Sequence, residues 1–113
     1  MHEYSIVQAL LTQCEELAHE NKAQAVTKVV VKIGRMAGVE PHLLEMAFNT
    51  FKEKTVCDGA GFVMNLQPLV IACQGCLTVT VLDELFYKCP ACESWDVKVI
   101  EGEEMFLMSL EME

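Results

Sequence analysis

Two sets of residues in this chain have the types and spacing to hold a metal ion. Cys73-Gln74-Gly75-Cys76 and Cys89-Pro90-Ala91-Cys92 are two CxxC pairs. Each pair makes a turn that converges two thiolates, and two such turns supply the closed tetrahedral set that structural Zn(II) prefers. Four sulfurs also suit iron, which colour would reveal. A disulfide-exchanging pair would need one CxxC at a helix start, and duplicating it has no redox logic. Four cysteine ligands leave no open position, so zinc held there is expected to order the chain and not to activate water.

The second set is Met1-His2-Glu3. Methionine removal normally needs a small second residue, so bulky His2 is expected to keep Met1 in place. The α-amine of Met1, the backbone nitrogen of His2 and the His2 ring could occupy three corners of a square-planar Ni(II) or Cu(II) site. The fourth corner stays open, which suits holding a metal briefly and passing it on. Binding needs these groups unprotonated, so it should weaken below neutrality, given reference values of about 6.5 for histidine and about 7.7 to 8.0 for the amine.

The remaining sequence must position these groups. Ser5 followed by Gln8 reads as a capping box, and Ile6, Leu10, Leu11, Cys14, Leu17 and Ala18 recur at helical spacing. A first helix is therefore expected just after the Met-His-Glu tripeptide, ending near Asn21 and leaving the tripeptide as an exposed lead. Val26 to Ile33 is rich in β-branched residues and reads as a strand. Glu40-Pro41 opens a second helix with apolar face Leu44, Ala47, Phe48 and Phe51. Phe62, Met64 and Leu66 alternate as a strand, as do Phe106, Met108, Leu110 and Met112, with Ser109 and Glu111 on the outer face.

The expected fold class is α/β in the α+β sense: two helices on one face of a small mixed sheet, with an inserted four-cysteine zinc-ribbon module. Residues 1–66 plus 102–113 form the expected nickel-binding domain, and 67–101 the zinc-binding domain. Strands at the two ends of the insertion are expected to pair. Leu77 to Lys88 should fold as a short β excursion, and the module is too small to bury a core without its metal. Cys14 lies on the apolar stripe of the first helix, and Cys57, before a glycine turn, reads as a semi-exposed thiol without a role.

Composition narrows the classes further. The 113 residues are 52% hydrophobic, with seventeen acids against eight bases and a net charge of -9. Four thiolates around one zinc would take this to about -11. Nucleic acid is repelled, and basic protein surfaces and cations are the natural partners. No apolar run approaches the roughly 18 residues needed to span a bilayer, and no signal peptide is evident, so a membrane is not expected and a reducing cytoplasm is. There is no Ser-His-Asp set, phosphate loop or open zinc site. Glu15-Glu16 and Glu103-Glu104 read as solvated charge, and an enzyme is not expected.

Met1-His2-Glu3-Tyr4-Ser5, the acid-proline pair Glu40-Pro41 and the two CxxC pairs, in this order, resemble the HypA/HybF family of hydrogenase nickel-insertion accessory proteins. The resemblance covers essentially the whole chain. It implies a cytoplasmic metallochaperone that binds Ni(II) at the N-terminus and holds zinc in the cysteine module. It further implies delivery to the large subunit of NiFe-hydrogenase together with a nickel-binding GTPase, and in some organisms service to urease maturation proteins. Carried onto this sequence, His2 is the nickel ligand, and Glu3 contributes its backbone nitrogen or carboxylate. Glu40 stands where an acid lies near nickel, and Cys73, Cys76, Cys89 and Cys92 are the zinc ligands. Some relatives carry histidine after the second cysteine of each pair, where this chain has Leu77 and Glu93. The competing reading is a zinc-ribbon protein-interaction module with no role in nickel delivery.

Overall fold

Val7, Leu10, Leu11, Cys14 and Ala18 recur at three- and four-residue intervals and are all buried, the stripe by which an amphipathic helix meets a core. The computed structural model describes residues 2–82 and 87–113. Its elements are α1 (His2–Glu20), β1 (Val26–Gly34), α2 (Pro41–Phe51), β2 (Gly61–Gln67), β3 (Leu69–Cys73), β4 (Val79–Leu82), β5 (Val97–Glu101) and β6 (Met105–Met112). They fall into two compact units. The first takes Met1–Lys32, Val39–Asn65 and Phe106–Glu113, and the second Ile33–Gly38 and Leu66–Met105.

In the first unit α1 begins earlier than the Ser5–Gln8 signal implies, so His2 and Glu3 lie in its first turn and not in an exposed lead. Tyr4 supplies a physical reason: its ring meets Phe51 of α2 edge-on at 4.4 Å, which anchors the turn ahead of Ser5. Met1 lies outside the described residues. The helix closes with Ala23 N donating to Ala18 O at 2.8 Å and Lys22 N to His19 O at 3.1 Å. Lys22 adopts φ 54° there, the left-handed stop that glycine more often provides.

The acid-proline start of α2 is present as read from sequence. Glu40 is the N-cap, its carboxylate accepting from Leu43 N at 2.7 Å, and Pro41 follows in the first turn. Leu44 and Phe48 are the residues that α2 buries, and Phe48 stacks on Phe62 of β2 at 4.3 Å. Burying a side chain of that size contributes roughly 1.5–3 kcal/mol.

The first sheet has the order β2-β1-β6. Glu113 N donates to Ala25 O and Gly34 N to Glu104 O, so β6 runs antiparallel to β1. The strands bracketing the insertion therefore do not pair with each other. β1, with Val26, Val29, Val31 and Ile33 buried, takes the central place between them. Phe106 and Met108, expected on an inward face, are 47% and 52% exposed. Strand faces alternate strictly, so displaying Phe106 displays Met108 as well. The Lys32 ammonium lies 5.7 Å from the centre of the Phe106 ring.

The second unit is built on β3, whose Leu69, Val70, Ile71 and Cys73 are buried. It lies between β4 and β5 and is antiparallel to both, with Ile71 opposite Thr80 on one side and Val99 on the other. Of the excursion expected over Leu77 to Lys88, Val79–Leu82 forms β4; residues 83–86 lie outside the described residues. Gly34 and Gly102 are needed where the backbone passes itself. A Cβ on Gly34 would overlap the Gly102 carbonyl, and Gly102 itself has φ 107°.

Candidate metal centre

The four cysteines sit at the end of the second sheet. β3 delivers Cys73, and Gln74 N donates to Asp96 O just ahead of β5, closing the first turn against the sheet. In this turn Gly75 N and Cys76 N both point at Cys73 Sγ, at 3.3 and 3.4 Å. Leu77 N then donates to Cys73 O, and Cys73 N to Thr78 O. The second turn repeats the pattern: Glu93 N donates to Cys89 O, and Cys89 N to Ser94 O. Leu77 and Glu93 hold equivalent places and share φ 64°.

The ligand atoms of Cys73, Cys76, Cys89 and Cys92 all lie within 4.8 Å of one another. Cys73 Sγ is 3.5 Å from Cys92 Sγ, and Cys76 Sγ is 3.7 Å from Cys89 Sγ. A regular tetrahedron with Zn–S bonds of about 2.3 Å has edges of about 3.8 Å, so the sulfur set fits this ion. Cys73 and Cys89 are buried, Cys76 and Cys92 exposed. Among the described residues no other group of three or more histidine, cysteine or carboxylate ligands converges in this way.

The surroundings favour thiolates at two of the four positions. The Thr78 hydroxyl, 3.1 Å from Cys76 Sγ, and the Thr78 backbone N–H lower Cys76 to about 6. Backbone N–H groups of Cys76 and Gly75 lower Cys73. Ser94 N–H acts to lower Cys92, but the neighbouring sulfurs of Cys73 and Cys76 outweigh it and push that thiol up to about 12. Without a cation, four negative charges at such separations repel one another, which is what holds the Cys92 thiol up. A divalent ion would relieve that repulsion. Thr78 and Ser94 escaped the sequence reading, although each lies two residues after the second cysteine of its pair. A hydroxyl at the same offset in both turns was the available signal.

In the first unit Glu3 and Glu40, far apart in sequence, come together. Glu3 Oε2 accepts from Glu40 N at 3.2 Å, while Glu40 Oε2 accepts from Leu43 N. The backbone of His2, one residue before Glu3, opens α1. Cys57 departs from the sequence reading: it is not semi-exposed but completely buried, as is Cys14. Val56 N donates to Glu15 Oε1 at 3.1 Å and draws this loop onto α1.

The family model for HypA, the metallochaperone of hydrogenase and urease nickel incorporation, matches residues 1–112. The chain belongs to the HypA family. Two hydrogenase maturation factors named HypA are similar over its whole length. That of Shewanella oneidensis is 56% identical over 113 residues, covering 100% of this chain and 96% of the relative. That of Aquifex aeolicus is 55% identical, covering 100% and 98%. The solution structure of the nickel metallochaperone HypA from Helicobacter pylori superposes with a TM-score of 0.72 at 37% identity, covering 97% of this chain and 96% of that one. A second HypA solution structure gives 0.76 at 38%, covering 99% and 96%.

HypA membership makes this chain a hydrogenase maturation factor of the nickel metallochaperone class, with a four-cysteine group suited to structural zinc. Among the described residues no helix is long and apolar enough to cross a membrane.

Proposed function

We propose that this HypA chain binds Ni(II) at its N-terminus and releases it to hydrogenase during maturation, while zinc holds the cysteine unit together. The observation that carries the reading is the family match from residue 1 to residue 112, which takes in the terminal Met-His-Glu as well as both CxxC pairs. His2 is the principal nickel ligand, through its ring and backbone nitrogen, and the Met1 amine completes the chelate. Glu3 supplies a further donor and Glu40 lies near the ion as a second carboxylate. Support comes from the hydrogen bond between Glu3 and Glu40, and from the place of His2 in the first turn of α1. Cys73, Cys76, Cys89 and Cys92 are the zinc ligands, supported by sulfur separations that suit the ion.

Delivery is to the large subunit of NiFe-hydrogenase, with a nickel-binding GTPase as partner, and extends to urease maturation proteins where that enzyme is present. The protein acts in the cytoplasm and catalyses no reaction of its own. An open ligand position at nickel and closed ligation at zinc give the two metals different exchange rates, which separates the transferred ion from the structural one.

The test is calorimetric titration of Ni(II) into untagged, zinc-loaded protein and its His2→Ala variant, with zinc quantified before and after. About one nickel bound by the wild type, none by the variant, and zinc unchanged in both is the expected result. Equal nickel binding by the two, or nickel entry only as zinc leaves, would remove the N-terminal site from the account.

A further inference from the structure

The two edges of β6 differ. One is paired with β1, while among the described residues no strand pairs with the other. Glu113 N donates to Ala25 O at 3.0 Å and Ala25 N to Glu113 O at 3.3 Å, so residues 25 and 113 exchange both bonds. In an antiparallel ladder such pairs alternate with residues whose N–H and C=O point the opposite way. Met112 therefore turns its backbone N–H to the unpaired edge.

A groove of about 300 Å³ lies between α1 and β6, lined by Gln13, Leu17, Leu107, Met108, Leu110 and Met112. No residue of β1 lines it, so it lies at the outer margin of the sheet. Its floor is apolar, and Met108 is 52% exposed. Its rim is acidic. Glu16 and Glu20 follow Gln13 and Leu17 at three- and four-residue spacing and share their face of α1, and β6 adds Glu111 and Glu113; all four acids are exposed. Lys28 reaches Glu111 at 3.6 Å, which leaves the rim with an excess of negative charge.

Three features must be met by whatever occupies this margin: unpaired backbone, an apolar floor and an acidic rim. A second copy of the chain would bring two acidic rims together between molecules of net charge -9, and charged residues on an edge strand discourage pairing between copies. An extended segment with apolar residues at alternate positions, flanked by Lys or Arg, satisfies all three. Its backbone pairs with β6, its apolar side chains enter the groove and its cations meet the rim. We propose that the α1–β6 margin is a docking surface at which a partner protein adds such a basic, apolar-alternating segment as a further strand beside β6. None of these residues is assigned to nickel or zinc, so docking and metal binding can be tested separately.

The zinc-loaded full chain is used to select from a displayed library of short random peptides, and an enriched sequence is synthesised and titrated into isotope-labelled protein. Expected are Lys- or Arg-flanked sequences with alternating apolar residues, amide-shift changes at 106–113, Gln13 and Leu17, and slowed exchange of the Met112 amide in the complex. Affinity should fall as salt rises. Glu16→Lys combined with Glu20→Lys should weaken binding roughly tenfold or more, while Glu53→Lys, exposed and outside the groove, should change it by less than about twofold. If the double variant does not fold, the shift map and Met112 exchange of the wild type decide alone. No enriched pattern, binding that maps elsewhere, a Met112 amide that stays unprotected, or a free chain that already dimerises through β6 would each overturn the proposal.

Discussion

Glu3 Oε2 accepts a hydrogen bond from the backbone N–H of Glu40 at 3.2 Å, while the Glu40 carboxylate caps α2 through Leu43 N at 2.7 Å. One carboxylate thus ties the first turn of α1 to the residue that starts α2, and the other is engaged in the cap. Glu3, near the start of α1, is thereby held by a contact with a residue distant in sequence.

The capping role of Glu40 and the role near nickel proposed for it can be separated by substitution. Glu40→Ala removes the cap and should cost about 1 kcal/mol of stability, read from urea unfolding. Glu40→Gln keeps an oxygen for Leu43 N but removes the charge, so its stability should change little. If the carboxylate acts near nickel, the Gln variant should weaken nickel binding in parallel calorimetry, and unchanged nickel binding would confine Glu40 to capping.

Zinc loading should release fewer than four protons near neutral pH. Cys76 is lowered to about 6 by the Thr78 hydroxyl and N–H, and has given up its proton before the metal arrives. Cys92, pushed up to about 12 by its sulfur neighbours, gives up its proton on binding. A thiol held below its ordinary value contributes stability that is full above that value, near 9, and lost as pH falls through about 6. The raised Cys92 has the opposite sign, favouring the metal-free fold until pH rises through about 12. Calorimetry in buffers of different ionisation enthalpy counts the protons, and a Thr78→Val variant should release more at neutral pH. Equal counts for the two proteins would show that Thr78 does not set the charge of Cys76.

Removing zinc should unfold one unit and spare the other. Structural zinc contributes about 10–16 kcal/mol in small finger peptides. The second unit, with its sheet of short strands, should lose amide-exchange protection on chelation or in Cys76→Ser. Protection at Val29, Val31, Leu44 and Phe48 should persist, because their burial lies in the first unit. Loss of protection at these positions to the same extent would show that the two units fold as one.

Leu77 occupies a left-handed position at φ 64° and is 78% exposed, so its side chain buries little while its backbone is strained. Leu77→Gly relieves a conformation that costs an ordinary residue roughly 1–2 kcal/mol and adds entropy to the unfolded chain. The balance should be a gain of about 0.5 kcal/mol, appearing as tighter zinc retention against a chelator. A β-branched residue, as in Leu77→Val, should weaken retention.

The cysteine centre was legible from sequence because its determinants are local: each CxxC pair sets the separation of its two sulfurs within one turn. The start of α2 was legible for the same reason, since Glu40 and Pro41 act on the amides that immediately follow. The Met-His-Glu terminus, Glu40-Pro41 and both CxxC pairs, in this order, also carry the resemblance to the HypA family without any geometry.

Burial, pairing partners and helix extent depended on residues distant in the chain, and here the tertiary structure decided. Ser5 and Gln8 form a sound local start signal, yet Tyr4 on Phe51 and Glu3 on Glu40 accompany a helix that begins at His2. Cys57 precedes a polar glycine turn, yet the segment folds onto α1 and closes over its sulfur. β2 and β6 bracket the insertion in sequence, yet β1 lies between them. Sequence by itself determined which atoms could bind a metal, because ligand chemistry and turn geometry act over a few residues. Only the tertiary structure determined which thiols are sealed and which carboxylates meet, because those depend on packing contacts formed across tens of residues.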